Sequence, residues 1–234
     1  MIEIKNVTKK YGNKVAVKNV SFDVEDGEIF AFIGHNGAGK TTLIKSIVGI
    51  HDFDEGDILI NKKSIKEEPI ACKKDMAYVP DNPELYENMK AIDFINFICD
   101  MYEVPLNVRK KNINKYAQMF EIEENLNDTI DSFSHGMKQK IAIISALVHE
   151  PKILIMDEPF VGLDPKAVFD LKKVMNDMIK EGKTIFFSTH ILDVAEKLCS
   201  RVAIIKNGEL IKVGKMKDIK GDKSLESVFL ELEG

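Results

Sequence analysis

The sequence predicts an α/β fold: an α/β core with a small antiparallel β subdomain at its start and a helical insertion in its middle. Three observations carry this. Residues 2–7 and 15–24 alternate apolar and polar side chains with period two. Short apolar runs bounded by glycine or acid alternate with helically spaced stretches before residue 80 and again after 151. Between them, from about 80 to 150, the pattern is helical throughout.

The segments 2–7 and 15–24 read as antiparallel strands. Residues 28–34 (EIFAFIG) are an apolar run ending in glycine, as a buried strand entering a loop would be. Leu43, Ile44, Ile47 and Val48 give 40–49 a helical spacing, and 57–60 and 75–79 read as further strands. In the insertion 91–101, 108–120 and 136–149 are the candidate helices, punctuated by Pro105 and the acidic stretch 121–128. Then come a buried strand at 153–156, a helix at 166–180, a strand at 184–188 and a helix at 191–198. Strands at 202–205 and 210–213 follow, and a helix at 225–232 closes the pattern. The chain reads as one domain, 1–234, with 1–80 and 151–234 forming the core lobe and 81–150 the insertion.

At 234 residues the chain can bury a real core, and 44% hydrophobic with 30% charged residues excludes disorder. A net charge of -5 disfavours nucleic acid as a partner. Cys72, Cys99 and Cys199 show no C-x-x-C spacing and suit a reducing compartment. The N-terminal apolar run is too short for a signal peptide, and no stretch approaches the roughly 20 apolar residues that span a bilayer. A membrane channel, if the protein serves one, must come from another chain.

Four motifs carry chemistry. Residues 34–42 (GHNGAGKTT) fit G-x-x-x-x-G-K-[ST] between a strand and a helix. Glycines there let backbone N–H groups curl around phosphates, Lys40 reaches the outer phosphates and the Thr41 hydroxyl suits Mg²⁺. Residues 153–158 (ILIMDE) deliver Asp157 toward Mg²⁺ and leave Glu158 to activate a water; alone, the pair also reads as an acidic turn after a core strand. Residues 134–140 (SHGMKQK) open a helix, and by themselves suit a capping serine. His190 ends a strand in 188–190 (STH), either structural or at the strand end where active-site residues collect.

These pieces in this order resemble the nucleotide-binding domain of ABC transporters over almost the whole chain. The resemblance implies a P-loop NTPase core with the ABC ATPase architecture, ATP and Mg²⁺ as cofactors, and ATP hydrolysis coupled to transport. It makes 34–42 the Walker A loop, so that Gly34, His35, Asn36, Gly37, Ala38, Gly39, Lys40, Thr41 and Thr42 bind nucleotide. It makes 153–158 Walker B, 134–137 the signature, 162–165 (GLDP) the D-loop and His190 the switch histidine, and it sets Tyr11 against adenine. Ser134 and Gly136 then act on a second chain's nucleotide and Asp164, counted with the nucleotide-binding residues, links the two sites, which implies a homodimer with ATP at the interface. Glu158, His190 and Lys40 are the catalytic residues; Thr41, Asp157 and Asp81 are the metal residues.

The sequence departs from the family pattern at the signature, where His135 and Met137 replace a glycine and a glutamine, and at Asp81, which stands for the Q-loop glutamine. Both changes, and the tail at 225–230, resemble the bacterial exporter branch that handles antibiotics and drugs. That branch implies a separate integral membrane permease and a place on the cytoplasmic face of the cell membrane. A soluble ABC ATPase for assembly or regulation is the alternative. Asp81, one methylene shorter than glutamine, is expected to reach Mg²⁺ through a water, to bind it directly only if the loop moves inward, or to cap a helix. Phe94, Ile95, Phe97 and Ile98 either line a groove for a membrane subunit's helix or pack internally.

Overall fold

The computed structural model describes residues 1–233. Strands β1 (Ile2–Tyr11), β2 (Lys14–Val24), β4 (Glu55–Ile60) and β5 (Lys63–Ser64) form an antiparallel sheet in the order β2-β1-β4-β5. Strands β3 (Ile29–Ile33), β6 (Met76–Val79), β7 (Ile153–Asp157), β8 (Thr184–Thr189), β9 (Arg201–Lys206) and β10 (Glu209–Lys215) form the second, in the order β10-β9-β3-β8-β7-β6. In the second sheet only β10 runs antiparallel to its neighbour.

The helices are α1 (Lys40–Ile47), α2 (Pro69–Asp75), α3 (Ala91–Met101), α4 (Leu106–Met119), α5 (His135–Leu147), α6 (Pro165–Lys180), α7 (Leu192–Leu198), α8 (Met216–Lys220) and α9 (Leu225–Glu233). None is long and apolar enough to cross a membrane among the described residues.

The pleat of the second sheet divides the interior in two. Ile29, Ala31 and Ile33 of β3, with Leu154 and Met156 of β7, join a cluster that runs on through α3, α4, α5 and α6. Phe30 and Phe32, with Ile153, Ile155 and Phe186, face the antiparallel sheet and α1. Phe22, Phe30, Phe32 and Phe186 meet there ring to ring, with Phe22 and Phe30 stacked at 5.3 Å. Each fully buried phenylalanine contributes about 2–3 kcal/mol. Strands buried on both faces must read as continuous apolar runs, as β3 and β7 do.

The structure extends the expected elements where periodicity breaks. β1 continues past residue 7 to Tyr11 because its pairing shifts register after Ile4, with Asn6 at φ 52°. Val7 and Thr8 are therefore both buried, which ends the alternation without ending the strand. α2 buries only Cys72, so it leaves no apolar stripe to read.

Candidate functional site

The parallel strands β3, β7 and β8 end together, and the loops after them build the site. α1 begins at Lys40 with Gly39 as its cap, at φ 110° and without a side-chain cap hydrogen bond; no acid occupies its first turn. Its leading N–H groups and dipole are left for an anion. A Cβ at Gly39 would lie 2.6 Å from the Ala16 carbonyl, so the loop can pack this closely on β2 only with glycine there.

Lys40 is buried, its Nζ donating to the carbonyls of Gly34 at 2.7 Å and His35 at 3.2 Å. The same Nζ lies 3.3 Å from Glu158 Oε1, an ion pair without hydrogen-bond alignment, since Oε1 has no hydrogen-bond partner. Ser188, in register with Asp157 on the neighbouring strand, bonds the Asp157 carboxylate and the Glu158 backbone. Its hydroxyl donates to Asp157 Oδ1 and accepts the Glu158 N–H at 3.1 Å. Glu158 has φ 46°, a left-handed conformation costing about 1–3 kcal/mol for a non-glycine residue. Its Oε2 is 2.9 Å from His190 Nδ1 and accepts the His190 N–H at 3.2 Å.

Asp157 is wholly buried and its Oδ2 has no hydrogen-bond partner. Burial pushes its carboxyl above the usual range; hydrogen bonds from Ser188 and Thr41 oppose this, and the charges of Asp81 and Glu158 add to it. A buried carboxylate with a free oxygen beside a threonine hydroxyl fits a hard cation. Among the described residues no group of three or more His, Cys, Asp or Glu could hold a metal alone. A Mg²⁺ ion would therefore draw on nucleotide oxygens for the rest of its shell, as that ion commonly does.

The cleft above these groups has a volume of about 490 Å³. Tyr11, Asn36, Gly37, Gly39, Lys40, Thr41, Thr42, Asp81 and Glu158 line it, as do Ala16, Asn207 and Gly208, which sequence reasoning missed. Gly34 and Ala38 sit buried behind the loop, and the His35 ring turns to the Asn36 carbonyl at 2.8 Å. Ser134, Gly136 and Asp164 do not line the cleft. Ser134 caps α5, accepting the Met137 N–H at 3.3 Å; Asp164 caps α6 through the Ala167 N–H at 2.8 Å and pairs with Lys140 at 2.7 Å.

Two alternatives that the sequence left open are closed. Asp81 caps no helix: α3 starts only at Ala91, with Lys90 as its cap, and Asp81 Oδ1 takes the N–H of Asn82 at 2.8 Å. Ile95 lines no groove, being fully buried in the core.

Beside the cleft a second depression of about 250 Å³ is lined by Tyr78, Pro80, Leu85, Phe94, Ile98, Tyr102, Ser145 and His149 among others. Phe97 lies outside it, 39% exposed, with its ring 6.0 Å from that of Tyr86. His149 stacks on Tyr102 at 3.7 Å, and burial pushes it down to about 4. The Gln139 side chain on α5, also missed, is fully buried and donates to the Pro80 carbonyl at 3.4 Å, one residue before Asp81. A polar residue among the mostly apolar buried positions of α5 was the available signal, and Ser145 shares it.

A phosphate loop on a parallel sheet, a buried aspartate and a strained glutamate held by a histidine define a P-loop nucleotide-binding domain of the ATP-binding cassette type. A family model described as ABC transporter matches residues 17–161, and the chain belongs to that family. It is similar to the ABC-type transporter ATP-binding protein EcsA of Bacillus subtilis, 35% identical over 99% of this chain and 96% of that one. The linearmycin resistance ATP-binding protein LnrL of Bacillus subtilis is 35% identical over 94% of this chain and 70% of that one. The methionine import ATP-binding protein MetN of Clostridioides difficile is 34% identical over the same shares.

Among solved structures, an ATP binding subunit of an ABC transporter superposes with TM-score 0.96 at 34% identity, over 100% of both chains. cbiO1 from Clostridium perfringens, part of the ABC transporter complex cbiONQ, gives 0.79 at 27%, over 100% of this chain and 98% of that one. A dimeric post-hydrolysis state of the cassette MJ0796, bound to ADP and Pi, gives 0.84 at 26%, over 92% and 99%.

Proposed function

We propose that this chain hydrolyses ATP as a homodimer and so powers a separate integral membrane permease, working from the cytoplasmic face of the cell membrane as an exporter of antibiotics, drugs or other compounds. The observation that carries hydrolysis is Glu158: strained, fixed by Ser188 and His190, and left with one buried oxygen that is ion-paired to Lys40 but accepts no hydrogen bond. A carboxylate so held has an acceptor ready for the proton of an attacking water.

Lys40 and the α1 N–H groups grip the phosphates, and Tyr11 at the rim stacks on the adenine. Asp157 and Thr41 would hold Mg²⁺, with Asp81 reaching it through a water. The ion supplies charge neutralisation at the outer phosphates when bound. Glu158 takes the water proton, and His190 keeps Glu158 in place.

Ser134 and Gly136 stand on α5 away from their own cleft and serve the nucleotide of a second copy, with Asp164 linking the two sites. The dimeric cassette MJ0796 supports this reading. The segment 81–150 passes motion to the permease, one of whose cytoplasmic helices occupies the groove at Phe94 and Ile98. The membership of cbiO1 in a transporter complex supports a partner of this kind. Export rests on the signature and Asp81 departures and on the similarity to a linearmycin resistance protein.

The test is Glu158→Gln, which keeps the shape and removes the proton acceptor. This variant binds ATP, loses turnover at least about 100-fold and forms a dimer by light scattering only with ATP. Parent-like turnover refutes the role of Glu158, and a strict monomer at saturating ATP refutes the shared site.

A further inference from the structure

The loop that follows Glu158 and the start of α5 are packed against each other within one chain. Gly162 has φ +80°, and a Cβ built on it would lie 2.5 Å from His135 Cδ2 and 2.9 Å from Nε2. The imidazole thus occupies the space that a side chain at 162 would fill. In return, a Cβ on Gly136 would come within 2.7 Å of the Gly162 carbonyl, a backbone atom that cannot swing aside. Two residues on, Asp164 pairs with Lys140 of α5 at 2.7 Å. The contacts join the two residues after the signature serine to a loop only a few residues beyond Glu158. His135 is also the position at which this sequence departs from the glycine of its family.

We propose that Gly162 is the seat of the signature: its missing side chain receives the His135 ring and the Gly136 backbone, so that Ser134 and Gly136 are presented to the second chain in a position set by the loop after Glu158. Gly162 and His135 are a size-matched positioning pair. Neither touches the chain's own nucleotide cleft. The pair gives each chain a direct mechanical route from its own hydrolysis site to the surface it offers its partner. The proposal rests on the shared-site reading above.

A methyl group at 162 must either displace the imidazole or push the loops apart. It also meets the cost of a left-handed conformation for a residue with a Cβ. His135→Gly removes the first difficulty and leaves the second, so a double-mutant cycle separates them.

The experiment places Gly162→Ala, His135→Gly and the double variant in the Glu158→Gln background. It measures binding of a fluorescent ATP analogue, ATP-driven dimerisation by light scattering, and Tm. Gly162→Ala is expected to keep nucleotide affinity within about twofold while raising the chain concentration for half-dimerisation at least about tenfold. The double variant should return to within about threefold of His135→Gly alone. Parent-like dimerisation of Gly162→Ala overturns the proposal, as does a double variant no better than Gly162→Ala.

If Gly162→Ala does not fold, His135→Gly decides. A weaker dimer at unchanged Tm and nucleotide affinity supports the seat, and an unchanged dimer overturns it. Failure of the Glu158→Gln chain itself to dimerise is a separate result, which removes the shared-site reading and this proposal together.

Discussion

The nucleotide cleft and the groove beside it share the end of β6, yet they differ in the buried charge they hold. Asp81 lines the cleft, and Tyr78 and Pro80 line the groove. In the cleft, polar atoms are left unpaired at a cost: Asp157 Oδ2 and Glu158 Oε1 are buried without hydrogen-bond partners. In the groove, the partly exposed Ile98 and Tyr102 lie beside the buried Phe94, and the Tyr78 and Ser145 hydroxyls are also buried without partners, but no buried carboxylate lies among them. A buried carboxylate oxygen that accepts no hydrogen bond waits for a cation or a proton. Partly exposed apolar surface waits for a partner that supplies apolar area. The two depressions therefore call for different partners, and substitutions in each should fail in different ways.

The largest effect belongs to the cleft. Lys40→Ala removes the buried cation and leaves Glu158 facing the loop carbonyls, so ATP binding and hydrolysis should both be abolished. Measurable turnover at parent levels would break the assignment of the cleft. Ile98→Glu is the corresponding change in the groove. It should leave the ATPase rate of the isolated chain within about twofold while destroying co-purification with the membrane subunit, since a buried unpaired charge at an interface costs several kcal/mol. Equal loss of both properties would mean that the groove and the cleft are not separable.

Tyr11 sharpens the comparison, because it is an aromatic residue in the polar cleft. Tyr11→Ala should weaken ATP binding by roughly 1–2 kcal/mol, and Tyr11→Phe should be nearly silent if the ring stacks on the base. Calorimetry that finds equal losses would assign the effect to the hydroxyl. The smallest effect is expected at Asp81, which is exposed and acts at most through a water. Asp81→Asn should raise the Mg²⁺ concentration for half-maximal ATPase activity by about two- to threefold without changing Tm. An unchanged Mg²⁺ titration would remove Asp81 from the metal site.

Much of this was legible in the residues themselves. The run 28–34, the glycine and lysine spacing of 34–42 and the apolar run ending in Asp157 and Glu158 each state a local conformation and a local chemistry. Lys40, Thr41 and Glu158 could be placed in the cleft because their motifs act over a few residues, whereas Tyr11 was placed there by the family resemblance. Non-local pairings were not legible. Ser188 meets Asp157 only through the register of β7 and β8, which is set by strand packing and not by either segment. Gln139 meets Pro80, and His135 meets Gly162, across 59 and 27 positions respectively, where no local rule connects them. Ile95 and Phe94 stand side by side in the sequence with the same apolar character and are both buried, and only the seating of α3 against α5 leaves Phe94, and not Ile95, at the lining of the groove. The sequence by itself determined the strands, the phosphate loop and the identity of the reactive groups. The tertiary structure alone decided which of those groups share a partner, because burial and register are properties of the packed chain.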